Sequence, residues 1–289
     1  MSNFIIVTDS TADLPESFLK EENIPIFNLS YTILGETYGG KKELPYKEFY
    51  SLMREGNIPK TSQVNPEEAK EGFLDILKSG NQILYIAFSS GLSGTYNSGR
   101  IAAEEIMEDN KDANIVVVDS KCASMGEGLL VYYAAKLRKE GKSFEETCDF
   151  VKEHAKNMIH LFTVDDLNHL FRGGRVSRST AFIGTVLSIK PLLHVDDEGH
   201  LIPLDKTRGR RKSLLQLVDM MEERMGSYRD KNEVFFISHG DCLEDAEFVR
   251  DEVMNRYGIK ECMINNIGPT IGAHAGPGTV ALFFMGDVR

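Results

Sequence analysis

The chain has 289 residues, 42% hydrophobic and 27% charged, the balance of a soluble globular protein long enough for one large or two ordinary domains. Its 33 Lys and Arg against 44 Asp and Glu leave a net charge of −11, which argues against a general nucleic-acid binder. No run approaches the ~18 apolar residues of a membrane span, and four scattered cysteines (Cys122, Cys148, Cys242, Cys262) without a CxxC pair fit reduced thiols in a cytoplasm.

Met1 to Ser10 lacks the basic flank of a signal peptide and runs directly into Phe4 to Val7, a buried-strand pattern that ends in Thr8-Asp9-Ser10-Thr11. Asp13 and Pro15 suit the start of a helix towards Lys20, and Ile24 to Leu34 is β-branched and apolar enough for one or two strands. Gly35 to Lys42 imitates a P-loop, but Lys42 stands where Ser or Thr should hold magnesium and Leu44-Pro45 replaces the helix, so ATP binding is rejected there. Thr61 to Val64 reads as extended; Asn65-Pro66-Glu67-Glu68 then supplies an N-cap, a first-position proline and a glutamate at N3 for the next helix.

Ile83 to Phe88 is a strand, Ser89-Ser90-Gly91-Leu92-Ser93-Gly94-Thr95 a glycine-rich turn, and Tyr96 to Met107 a helix. Such a turn brings backbone close to a ligand and offers unpaired helix amides, a seat for an anion with Ser93 and Thr95 as extra donors. The plain alternative is a tight structural turn. Asn114 to Val118 is a further strand, followed by helices from about Gly126 to Lys139 and Ser143 to Asn157. This alternation predicts a doubly wound parallel sheet.

Beyond residue 160 the pattern changes. Ile159 to Val164 is strand-like, Asp165 to Phe171 a short helix stopped by Gly173-Gly174, and Ser179 to Ile189 is compatible with helix. Leu192 to Leu204 reads as a hairpin turning at Asp197-Glu198-Gly199. Helix Arg210 to Met225, strand Val234 to Ser238, helix Leu243 to Tyr257, strand Glu261 to Ile267 and strand Thr279 to Met285 complete the chain. The expected class is α/β with two domains: 1–160, an N-terminal doubly wound parallel sheet, and 161–289, an α/β domain with some antiparallel strands.

Ligands of such sheets sit beyond the carboxyl ends of the strands. Polar, glycine-rich segments follow predicted strands at Thr8 to Thr11, Ser89 to Thr95, Asp119 to Gly128 and Ser238 to Asp241; a fifth, Gly268 to Gly278, reads as a loop shaped to present His274. Ser93 with His274 and Asp9 or Asp119 would make a serine-hydrolase-like site, yet Thr95 replaces the last glycine of the G-x-S-x-G elbow. The dispersed histidines and cysteines show no metal-ligand spacing, and no G-x-G-x-x-G follows the first strand, so no metal and no cofactor is expected. Arg172, Arg175 and Arg178, and Lys206, Arg208, Arg210, Arg211 and Lys212, form basic clusters suited to an acidic or phosphate-bearing partner.

Five ordered motifs carry a family resemblance: Ile6-Val7-Thr8-Asp9-Ser10-Thr11, Thr61-Ser62-Gln63, Ser90 to Tyr96, Gly173-Gly174-Arg175 with Ile189-Lys190-Pro191, and Ile271 to Gly278. From first strand to last the chain resembles the DegV family, bacterial fatty-acid-binding proteins that serve fatty acid kinase. Val64 departs from the proline that often follows Thr-Ser-Gln there. The resemblance implies a non-catalytic, cytoplasmic two-domain protein that buries a long-chain fatty acid and presents its carboxylate to a separate ATP-dependent kinase subunit, which makes acyl-phosphate for phospholipid synthesis. It places carboxylate contacts on Thr61, Ser62, Ser93, Gly94 and His274, and kinase contacts on Arg172 and Arg208, with no nucleic acid and at most transient membrane contact.

Overall fold

The computed structural model describes residues 4–79, 82–177 and 189–289. The chain opens with β1 (Phe4–Asp9), α1 (Glu16–Glu21) and β2 (Ile26–Phe27). Strands β3 (Ser30–Ile33), β4 (Glu36–Tyr38) and β5 (Lys60–Ser62) make a small antiparallel sheet in the order β4-β3-β5, with α2 (Tyr46–Arg54) between β4 and β5. The P-loop look-alike is part of this hairpin. Leu34 and Gly35 turn it with φ of 54° and 80°, the handedness that matches strand twist.

Next come α3 (Pro66–Leu77), β6 (Gln82–Ala87), α4 (Thr95–Asp109), β7 (Ile115–Asp119), α5 (Met125–Lys139) and α6 (Phe144–His154). Strands β2, β1, β6 and β7 lie in that order, all parallel, with Ile6 opposite Leu84 and Leu84 opposite Val116. As read from sequence, Asn65 caps α3, accepting the Glu67 amide; the structure adds a reciprocal capping box of Ser143 and Glu146 at the start of α6.

The remaining elements are β8 (Met158–Thr163), α7 (Asn168–Arg172), β9 (Ile189–Val195), β10 (Leu201–Arg208), α8 (Arg210–Met225), β11 (Val234–His239), α9 (Leu243–Tyr257), β12 (Glu261–Asn266), α10 (Pro269–Ala275) and β13 (Val280–Met285). Six strands form a mixed sheet in the order β10-β9-β8-β13-β11-β12, where β11 and β12 run parallel and the other neighbours antiparallel. The fold is thus α/β, a parallel sheet followed by a mixed one. The helix expected over 179–188 lies outside the described residues, as does Arg178; Ile189 opens β9.

Strand alternation sets the layers. Ile83 and Tyr85 face the core under α3 and α4, whereas Leu84 and Ile86 face α5. In the second sheet Ala281 and Phe283 face α5, while Leu282 and Phe284 face the core of α8 and α9. Helix α5 is therefore shared by both sheets, which explains why its buried residues include Leu129, Leu130 and Val131 along with Ala134 and Ala135 rather than one stripe. A fully buried side chain of this kind stabilises by about 1.5–3 kcal/mol. Its first turn sits so close to β8 that a Cβ on Gly126 would lie 2.0 Å from His160 Nε2.

Candidate functional site

Each of the five polar segments singled out after strands sends a side chain or backbone into one cavity: Thr11, Ser93 with Gly94, Ser124, Ser238 and His274. Its volume is about 200 Å³, well above the ~10–15 Å³ that admits one water, so the space is ligand-sized. Thr61 and Ser62 of β5 line it as well. The walls continue through apolar side chains from both sheets, among them Phe88, Leu92, Phe162, Val195 and Phe283. The lining thus combines hydrogen-bonding groups with hydrocarbon side chains, the mix an amphiphile requires.

One polar part of the lining is built on the turn between β6 and α4. The Ser89 carbonyl accepts the amides of Leu92 and Ser93, each at 3.1 Å, which closes the turn. Ser93 Oγ lies 3.0 Å from Thr95 Oγ1 and accepts the Thr95 amide at 3.3 Å. No bond to the Gly94 amide is recorded among the described residues, so it remains for a ligand at the start of a fifteen-residue helix, where the helix dipole favours an anion.

His274 differs from the sequence expectation. It lies not in a loop but in the last turn of α10. Pro269 occupies the first turn of that helix, where its missing amide costs nothing. Gly272 and Ala273 then pack under α2, a Cβ on Gly272 falling 2.5 Å from the Tyr50 hydroxyl. His274 Nε2 lies 2.9 Å from Thr61 Oγ1, and its buried Nδ1 has no partner among the described residues. Burial, then the neighbouring Arg175 charge, lowers the imidazole to about 4. The ring is therefore neutral near pH 7.

The hydrolase-like triad does not assemble. The His274 partner is Thr61, not Ser93. Asp9 accepts Phe88 N at 3.0 Å and the Tyr85 hydroxyl at 3.1 Å, and Asp119 accepts the amides of Ser90 and Lys121.

Arg175 was grouped with the surface arginines, but it turns inward and lines the cavity. Its Nε donates to Leu92 O at 3.1 Å and its Nη1 to Gly173 O at 2.5 Å. Burial lowers the Arg175 guanidinium from its ordinary range, but an arginine keeps its charge at neutral pH. The Gly-Gly-Arg run was the only signal, and nothing in it tells inside from outside. Arg172 contacts His169 Nδ1 at 2.9 Å and Arg208 is exposed at the end of β10. Arg210 pairs with Asp245 at 2.8 Å and Arg211 stacks on Phe248.

The family model described as "Uncharacterised protein, DegV family" matches residues 3–287. The chain belongs to the DegV family. A DegV domain-containing protein of Clostridium perfringens is 46% identical, over 100% of this chain and 99% of that one. A DegV family protein from Thermus thermophilus, described by its fatty acid binding, superposes with a TM-score of 0.88 at 28% identity, covering 99% of this chain and 100% of its own. DegV from Bacillus subtilis, a fatty acid binding protein, gives 0.85 at 30% identity with the same coverage. Among the described residues no helix of this DegV chain is long and apolar enough to cross a membrane.

Proposed function

We propose that this chain binds a long-chain fatty acid, with the carboxylate at the hydrogen-bonding groups of the cavity and the acyl chain along its apolar walls. The observation that carries this is that Thr61, Ser62, Ser93, Gly94 and His274 line one cavity together with apolar side chains. Fatty acid binding in the Thermus and Bacillus relatives supports it. Ser93 and Thr61 donate hydroxyl hydrogens and Gly94 its amide; Arg175 supplies positive charge. With its proton on Nε2, His274 donates to Thr61 and leaves the Thr61 hydroxyl hydrogen for the carboxylate. Each buried methylene adds about 0.8 kcal/mol, so the walls supply affinity and the head-group seat supplies orientation.

In this reading the chain performs no catalysis. A separate ATP-dependent kinase subunit phosphorylates the held carboxylate, docks where Arg172 and Arg208 stand, and the acyl-phosphate feeds phospholipid synthesis in the cytoplasm. We divide the chain into two domains just before Met158 rather than at 160, because a cut at 160 would split β8.

Denaturing extraction of fresh protein, with mass spectrometry of the organic phase, tests the reading. Near-stoichiometric fatty acid is expected. An empty extract together with no binding of added palmitate would overturn it. Ser93→Ala is expected to lose ligand without the parent showing any esterase rate.

A further inference from the structure

Ser89 is fully buried two residues beyond β6, outside the set assigned to the carboxylate. Its hydroxyl makes two bonds of opposite sense. It accepts the Gly91 amide at 3.1 Å and donates to the carbonyl of Gly199 at 2.9 Å, 110 residues away. Because an amide only donates and a carbonyl only accepts, the hydroxyl orientation is unique. Its backbone is used too: the amide reaches Cys122 O at 3.0 Å, and the carbonyl holds Leu92 and Ser93.

Gly199 belongs to the turn of the β9–β10 hairpin, with φ of 82°. Asp196 Oδ1 fixes that turn by accepting the amides of Glu198 at 3.0 Å and His200 at 2.8 Å. At Gly91 the two backbones meet directly, and at Gly199 the Ser89 hydroxyl fills the gap. A Cβ on Gly91 would lie 2.9 Å from the carbonyl oxygens of Glu198 and Gly199, and one on Gly199 would lie 2.1 Å from Ser89 Oγ. The hairpin thus packs directly on the turn that carries Ser93 and the Gly94 amide.

We propose that Ser89 is a positioning residue for the head-group seat, locking the Ser93–Gly94 turn of the parallel sheet to the β9–β10 hairpin of the mixed sheet. The seat is then complete only while that hairpin is docked. Loss of the Ser89 bond frees the Ser93–Gly94 turn, while Val195 and Leu201 of the hairpin stay with Phe162 and Phe283 in the apolar walls. This rests on the fatty-acid reading above.

The test compares two ligands with one chain and different heads, palmitate and hexadecan-1-ol, by equilibrium binding to the full-length protein. Ser89→Ala is expected to weaken palmitate about tenfold, the effect of leaving buried hydrogen-bonding groups unpaired. Hexadecan-1-ol should change by less than about twofold, because its affinity comes from the walls. Gly199→Ala, which pushes on the same bond from the hairpin, is expected to repeat that pattern. Ser89→Cys, similar in size and a weaker donor, should fall between parent and Ser89→Ala, and reads the same ratio should the alanine variant not fold. Parallel weakening of both ligands, or no change in their ratio, overturns the role of Ser89 while the fatty-acid reading stands. A parent that binds no palmitate overturns both.

Discussion

Thr61 and His274 stand 213 residues apart in the chain and 2.9 Å apart across the mouth of the cavity. One comes from a three-residue strand of the small sheet and the other from the last turn of α10. Their contact exists because α10 packs against β3, β5 and α2 through Ala273 and the aromatic pair Phe49 and Tyr50. His274→Ala should weaken fatty-acid binding about tenfold, as expected for removing one bond from a buried polar cluster. Thr61→Ser should stay close to the parent. Displacement of a fluorescent fatty acid measures both, and equal behaviour of Thr61→Ser and Thr61→Val would remove the hydroxyl from the account.

Gly173 tests the same ring from behind. Its φ of −73° suits any residue, yet a Cβ there would lie 2.1 Å from His274 Nδ1. Gly173→Ala is therefore expected to keep the fold and to lose fatty-acid affinity about as much as His274→Ala, read by the same displacement assay. An alanine variant that binds like the parent would show that the ring relaxes without consequence.

A proton is expected to accompany the ligand. The His274 imidazole is held at about 4 by burial and by Arg175, and a bound carboxylate raises it. Between those two values binding takes up a proton, so affinity should rise as pH falls from 7 towards 5. Titration calorimetry in buffers of different ionisation heat counts the proton. His274→Gln should abolish the uptake, and an unchanged count would place it elsewhere.

Asp13 gives a stability prediction of defined sign. Burial raises its carboxyl to about 7, with the charge of Asp9 adding to this, against bonds from Ser124 and the Gly268 amide. A folded value above the unfolded one near 3.8 means stability present at low pH and lost as pH rises through about 7. The stability of the parent relative to Asp13→Asn should therefore grow by a few kcal/mol as pH falls from 7 to 4. His160 and His194, lowered to about 3 and about 4 chiefly by burial, act in the opposite sense but cancel in this comparison. Urea unfolding at a series of pH values measures it, and a constant difference would contradict it.

The proposed partner surface separates from the ligand site by mutation. Arg172→Ala with Arg208→Ala should retain extracted fatty acid at the parental level and lose most acyl-phosphate formation when the kinase subunit and ATP are supplied. Loss of the fatty acid itself would reassign these arginines to the fold.

Much of the architecture was legible because it is local. Strand β6, the glycine-rich turn and α4 follow from an apolar run, hydroxyl and glycine punctuation, and helix formers; α8 and α9 occupy the residues read for them. The Gly-Pro content around His274 misled because composition marks chain breaks, whereas Pro269 at a first-turn position and the packing of Gly272 and Ala273 made a helix of it. The arginines misled for another reason. Arg172 and Arg175 are three residues apart, and only the fold around Leu92 and Gly173 turns one guanidinium into the cavity.

The sequence by itself determined the elements, the class of fold and which segments carry hydroxyls, amides and imidazole at strand ends, since each depends on neighbours a few residues away. Tertiary structure decided that β5, the β6–α4 turn and α10 meet at one cavity, that α5 lies between two sheets, and that the His274 ring is neutral. Those depend on burial and on contacts between segments a hundred or more residues apart, where hydrophobic packing of the shared core, not local propensity, sets the distances.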